Sequence, residues 1–363
     1  MNTIAQLFTD LPDPELLSKQ VEDCQKFVQD ESFFHLAVAK DARIAALKEY
    51  FSRNGLRKVY LCAHLSGYKC ELDGIEVEIL EENFFQESDP VRCKAKKTLL
   101  DGCVVIINSS VMLPAEVAVA YAQFFEYCTA TCFIAWDHDN HHLLSRAVMQ
   151  AAYSDIYVPA HHENLYLLSR YNWLITGSVC AASFQWPRKF LTEHLPEILV
   201  AERSGAPLGM HFYYPPFTFR NQVIISLSQH YSSIGFLNVP YHSRRLEDRL
   251  KEWCSHKSHW ITPVLNDVPT RLFDALLTGG VPIVPSSLRF LPLLRSIPCR
   301  HVVFYSPADI LNPKSVVERA NKLFDEGGRD GIATRHRLAL QYGDAVRRML
   351  SFAAEVLEIK VTW

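Results

Sequence analysis

The feature that most constrains this chain is the alternation of short β-branched runs with amphipathic stretches of ten to fifteen residues. Lys58–Cys62 reads KVYLC, and Val77–Leu80 and Val104–Ile107 are similar runs bounded by Gly, Asp and Asn. A helical pattern over Pro114–Cys128 follows, with Pro114 suited to a first turn. Then come a strand-like Cys132–Trp136, a helix-like Leu143–Tyr153 and a strand-like Ile156–Pro159. Upstream, Pro14–Asp30 and Asp41–Arg53 read as amphipathic helices. In the second of these Ile44, Leu47 and Phe51 recur at helical spacing and Asn54-Gly55 supplies the stop. Strands separated by helices cannot pair as hairpins; they pair in parallel, with the helices as crossovers.

The alternation stops at a polar stretch, Ala201–Gly209, and restarts after it. Strands are expected at Met210–Tyr214, Ser233–Leu237, Trp260–Val264, Val281–Pro285 and His301–Tyr305. Helices are expected at Asn221–Tyr231, Leu246–Cys254, Thr270–Thr278 and Pro313–Asp325, with a long helical tail over Arg335–Leu357. A chain of 363 residues exceeds one ordinary core. The fold expected is therefore α/β: two Rossmann-like domains, 1–203 and 204–340, facing across a cleft, with a C-terminal helix, 341–363, crossing back. Ligands of such sheets sit at the carboxyl ends of the strands.

Composition excludes several classes. Hydrophobic residues make up 48% and charged residues 21%, a globular balance, and the net charge of −3 argues against broad nucleic-acid binding. No run of 18 apolar residues suggests a membrane span, which leaves room for peripheral association only. Met1–Asp13 does not read as a signal peptide. The ten cysteines include no C-x-x-C and fit buried thiols in a reducing cytoplasm. The fingerprints of dehydrogenases, P-loop enzymes and α/β-hydrolases are absent.

The segment Asp267–Pro285, DVPTRLFDALLTGGVPIVP, carries most of the functional inference. Pro269 blocks helical continuation upstream and Thr270 can cap or open a first turn. A helix start offers backbone N–H groups and a partial positive charge to a diphosphate, and Arg271 adds a guanidinium there. Asp274 lies one turn further on, where it can accept hydrogen bonds from sugar hydroxyls. Gly279 and Gly280 turn the chain into the next strand. Arg220-Asn221, at the start of another helix, reads either as a second phosphate grip or as a surface pair.

Phe273–Val284, FDALLTGGVPIV, resembles the donor half of glycosyltransferases of the GT-B arrangement, most of all the exostosin-like and glycogen-synthase-like groups. Asp274 stands where that family usually has Glu, and Asp267 precedes it by seven residues. The resemblance implies a nucleotide-sugar donor bound by Arg220, Asp267, Thr270, Arg271, Asp274, Gly279 and Gly280. It implies no cofactor, a saccharide or glycolipid acceptor, and a product such as a surface polysaccharide.

A second polar cluster follows two strands of the first half: Trp136-Asp137-His138-Asp139-Asn140-His141-His142, and His161-His162-Glu163-Asn164. Parallel strands would bring both to one sheet edge. Three readings stand. In a transfer site, Asp137, Asp139 and His138 act on the acceptor hydroxyl while His141, His161, His162 and Glu163 bind the acceptor. In a divalent-metal site, a hydrolase would use Asp137, Asp139, His141, His161 and His162. In a structural site the groups satisfy one another, with Asn140 capping the next helix. A non-catalytic sugar- or nucleotide-binding protein is the remaining alternative. His64-Leu65-Ser66-Gly67, after the first strand, reads as a turn that in such transferases lies near the acceptor.

Overall fold

Each β-branched run of the first half becomes a strand in the computed structural model: β1 (Lys58–Leu61), β2 (Glu76–Ile79), β3 (Cys103–Asn108), β4 (Cys132–Asp137) and β5 (Ile156–Pro159). The structure describes residues 18–19, 22, 34–70, 72, 74–86, 89–108, 111, 115–138, 140, 144–162, 164–176, 186–215, 217–237, 244–264, 268–342 and 344–359. Helical crossovers make every pairing parallel, in the order β2-β1-β3-β4-β5. All residues of β3 and β4 are buried, which is why they read as unbroken apolar runs instead of alternating ones. The expected stop at Asn54-Gly55 ends the helix Phe34–Asn54: Gly55 takes φ +71° and its N–H reaches Phe51 O at 2.8 Å.

The chain divides into two compact units: Lys19–Val179 with Ala345–Trp363, and Cys180–Asp344 with Met1–Ser18. The change falls earlier than the polar stretch suggested. Trp186, Leu191 and Ile198 belong to the second unit's core, and Arg203 donates to Thr278 O at 2.7 Å, so the Ala201–Gly209 stretch is interior to that unit. The helical tail is also two elements. Arg335 lies in the helix Lys314–Tyr342, which packs on β8, β9 and β10, while Ala345–Leu357 packs on the helix Phe34–Asn54 and on β4.

In the second unit β6 (Gly209–His211) pairs with β7 (Ile234–Phe236), and β8 (Ser258–Trp260), β9 (Val281–Pro285) and β10 (Val303–Tyr305) form a parallel set. Leu208 joins the two groups, donating to Ser258 O at 2.9 Å and accepting from Trp260 N at 2.8 Å. The resulting order, β7-β6-β8-β9-β10, repeats that of the first unit. Both are doubly wound sheets whose chain reverses direction between the first and third strands, and the crevice at the carboxyl ends of those strands is where such sheets bind ligands.

Candidate functional site

His211 ends β6 at this reversal point, and the sequence reading passed over it as an ordinary strand residue. It is 1% exposed, and its ring hydrogen-bonds the Trp260 backbone of the neighbouring strand. The helix Thr218–Ser228 follows β6 and carries Arg220 in its first turn, buried and not on the surface. Arg220 Nη1 donates to Phe212 O at 2.8 Å, and the guanidinium lies 5.1 Å from the Tyr214 ring. Asn221 Nδ2 donates to Tyr214 O at 2.7 Å, so both side chains brace the loop after His211.

The helix Thr270–Leu277 starts after β8. Its N-cap is Pro269 and no side chain caps it; Thr270 opens the first turn without capping it. An uncapped start keeps its backbone N–H groups directed outward with the positive end of the helix dipole. Arg271 stands in that turn, 5.2 Å over the Trp253 ring. Burial first, then the charges of Arg271 and Arg220, push His211 well below the usual histidine range. Two guanidiniums from two helix starts thus act on one neutral imidazole. Asp274 is buried within the second of these helices. Asp267 lies outside the described residues.

Gly279 and Gly280 sit at the other end of that helix, at the amino end of β9, where packing accounts for both. Gly279 takes φ +74°, and a Cβ there would fall 2.3 Å from Ile332; a Cβ on Gly280 would fall 2.4 Å from the His259 ring. The carbonyls around them are held by cationic and imidazole groups: Arg335 Nε reaches Gly279 O at 2.8 Å, Arg203 reaches Thr278 O at 2.7 Å and His336 Nδ1 reaches Leu277 O at 2.5 Å. These suit the negative end of a helix dipole. Gly279→Ala is expected to cost about 2–3 kcal/mol through the left-handed φ and the clash with Ile332, measured by urea unfolding. A change confined to ligand affinity would contradict the packing role.

In the first unit the two polar clusters do meet at one sheet edge, after β4 and β5. Asn140 ties them: its Nδ2 donates to His161 O at 3.0 Å, its Oδ1 accepts from His161 N at 2.9 Å, and its own carbonyl accepts from Asn164 Nδ2 at 2.8 Å. The helix that follows is described from Leu144 on. Asp137, 1% exposed, accepts from the Tyr157 hydroxyl at 2.7 Å. Burial and the charge of Asp137 push that phenol well above its ordinary range, so Tyr157 holds its proton and orients the carboxylate. His138 packs edge-on against Trp136 at 4.2 Å. His161 is buried and His162 half-buried. Asp139, His141 and Glu163 lie outside the described residues. Among the described residues no group of three His, Cys, Asp or Glu is placed to hold a metal ion.

The expected turn after β1 is a short 3-10 helix, Ala63–Tyr68. Beside it, at the carboxyl ends of β1 and β2, lies a cavity of about 220 Å³ lined in part by His64, Glu81, Glu82, Asn83 and Phe85. No helix among the described residues is long and apolar enough to cross a membrane.

No protein-family model matches the sequence. No curated protein matches it either. Among solved structures the chain is similar to a sucrose-phosphate synthase from Thermosynechococcus elongatus, at 12% identity with a TM-score of 0.45, covering 81% of this chain and 99% of that one. It is also similar to the spinosyn forosaminyltransferase SpnP, at 10% identity with a TM-score of 0.32, covering 89% of this chain and 97% of that one.

Proposed function

We propose that the chain is a glycosyltransferase that moves a sugar from a nucleotide-sugar donor to a saccharide or glycolipid acceptor, in the cytoplasmic synthesis of a surface polysaccharide. The observation that carries the donor half is the pair Arg220 and Arg271, presented from two helix starts at the carboxyl edge of one sheet. A phosphate-bearing leaving group gains negative charge as the glycosidic bond breaks. Positive groups fixed in place beforehand stabilise that charge without reorganising. Asp274 takes the hydroxyls of the donor's ribose or sugar. On the acceptor side, Asp137 oriented by Tyr157, together with His138 and Asp139, receives the acceptor hydroxyl's proton. His141, His161, His162 and Glu163 bind the acceptor. The saccharide and polysaccharide assignments rest on the sequence resemblance, and the cytoplasmic one on free thiols such as Cys62, Cys103, Cys128 and Cys132.

The test is thermal unfolding of the full chain with UDP, GDP, ADP, CDP and CMP at millimolar concentration. At least one is expected to raise the melting temperature by mass action. Arg220→Ala and Arg271→Ala are each expected to weaken that nucleotide by roughly tenfold to a hundredfold, the range of a lost charge-assisted hydrogen bond. If none of the five shifts the melting temperature, the reading fails. If one binds but no sugar conjugate of it is hydrolysed or transferred, the chain is a binding protein and not an enzyme.

A further inference from the structure

Three neighbouring strand ends of the first unit, β2, β1 and β3, meet at the cavity of about 220 Å³. The turn after β1 brings Cys62 and His64 to it, and the turn after β2 brings Glu81, Glu82 and Asn83. Val111, from the stretch after β3, closes a further side. The cavity therefore lies at the carboxyl edge where the chain reverses between β1 and β3, a place where doubly wound sheets take ligands. The Asp137 cluster, after β4 and β5, occupies the other half of that edge.

The cavity has an apolar wall that is fixed before any ligand arrives. Phe85 sits in a short 3-10 turn, Phe84–Gln86, which Gln86 N closes on Asn83 O at 3.0 Å. Its ring is buried, edge-on to Tyr121 at 5.2 Å and to Phe124 at 5.6 Å. On the β1 side, Cys62 Sγ donates to Asn108 Oδ1 at 3.5 Å. Burial pushes that thiol up to about 11, so this side is neutral as well. The rim is different in kind: Glu81, Glu82, Asn83 and His64 are exposed. No Lys or Arg stands among the described residues that line the cavity.

Apolar wall and polar rim together match a sugar ring, whose C–H groups meet the first and whose hydroxyls meet the second. Carboxylates accept from hydroxyls, and the Asn83 amide both accepts and donates. The volume is below the ~300–1,000 Å³ of sites for drug-sized molecules, which limits the occupant to one ring. A phosphate or carboxylate on that ring would face two carboxylates with no cation to offset them, whereas an ammonium would be attracted. We propose that this cavity seats a single sugar ring without an anionic group, and that Glu81 and Glu82 favour a ring bearing an ammonium group. That the ring belongs to the acceptor rests on the transferase reading above; the charge preference follows from the cavity alone.

Saturation-transfer NMR on the full chain measures the preference, with methyl glucoside, glucosamine in its protonated form and glucose 6-phosphate, each at millimolar concentration. Glucosamine is expected to bind about two- to fivefold more tightly than the glucoside, the range of exposed charge pairs, and glucose 6-phosphate more weakly by a similar factor. Glu81→Gln and Glu82→Gln together are expected to level the three affinities. Asn83→Trp, which fills the cavity from its rim, is expected to remove all three signals, and His64→Trp is the second variant should the first fail to fold. Glucose 6-phosphate binding as tightly as the glucoside, or a glucosamine preference that survives in the double variant, overturns the proposal. Signals undiminished in both filled variants overturn it too, because the sugars then bind elsewhere. So does the absence of any sugar signal in the wild type, and a nucleotide that still raises the melting temperature then leaves the donor reading standing. Sugar binding in a chain that no nucleotide stabilises upholds the cavity and sinks the transferase reading.

Discussion

Acidification from pH 7 to pH 5 is expected to destabilise the ligand-free protein steeply, because the second unit folds around neutral histidines. Burial holds His211 and His259, each 1% exposed, well below the usual histidine range; His301, 4% exposed, is lowered to about 4 by burial, then by Arg335 and Arg300. The sign follows from proton counts. In the unfolded chain these rings protonate as pH falls through 6.5, whereas in the folded chain they do not until far lower. The unfolded state therefore binds more protons throughout that window, and stability falls with pH. Each ring contributes about 1.4 kcal/mol per pH unit at full slope, so His211 and His259 alone give close to 3 kcal/mol per unit. His301 acts in the same direction down to about pH 4, and Arg300 Nε already donates to its Nε2 at 3.2 Å, which holds that ring neutral. Against a typical stability of 5–15 kcal/mol this is a large fraction. Urea unfolding at pH 7, 6 and 5 measures it. His259→Phe, which keeps an aromatic ring stacked on Trp253, is expected to flatten the slope by about one proton. A midpoint that stays constant between pH 7 and 5 would show that these rings protonate freely in the fold.

How much of this was legible beforehand depends on whether a residue's partner is near it in sequence. The strands were legible because burial on both faces leaves an unbroken apolar run, as in Cys103–Asn108. The helix start at Thr270 was legible because Pro269 marks it locally. Helix Pro90–Leu100 was passed over although its local signals exist: Asp89 accepts from Val91 N and Arg92 N at 2.9 and 3.0 Å, and Pro90 opens the first turn. The bond from Asn140 to His161 was not legible because its partner lies 21 residues away. Gly279 and Gly280 were legible as the turn into β9 but not in their packing, because a glycine that admits a ligand and one that admits Ile332 look alike in sequence. His211 left no local trace, standing inside the expected strand Met210–Tyr214; its setting depends on burial and on Arg220 and Arg271, which two separate helices carry.

The buried ion pair Arg43–Asp155 in the first unit is the least legible feature and the one whose removal should cost that unit most. Arg43 Nε meets Asp155 Oδ1 at 2.6 Å, and Nη2 meets Oδ2 at 3.2 Å. The same guanidinium donates to Cys128 O at 3.0 Å and Thr131 O at 3.1 Å, and lies 4.2 Å over the Phe125 ring. Asp155, fully buried, also accepts from Phe133 N at 2.8 Å. The pair thus fastens the helix Phe34–Asn54 to the strand ends of β4 and β5. Nearby, Lys40 donates to Ala152 O at 3.1 Å and to Ser154 O. Burial draws its ammonium down to about 8, while Asp155 holds it up. Removing one member leaves a buried charge without its partner, so Asp155→Asn and Arg43→Met are each expected to cost about 3–5 kcal/mol. The double variant should cost less than the sum, by roughly 1–3 kcal/mol, because the second change removes the charge the first one stranded. Asp155→Asn should also lower the Lys40 pKa below its present value, since the carboxylate that supports it is gone. Urea unfolding of the two single variants and the double variant decides the matter. Strict additivity would mean that each side chain stabilises the fold through its backbone partners alone, and that the charges do not act as a pair.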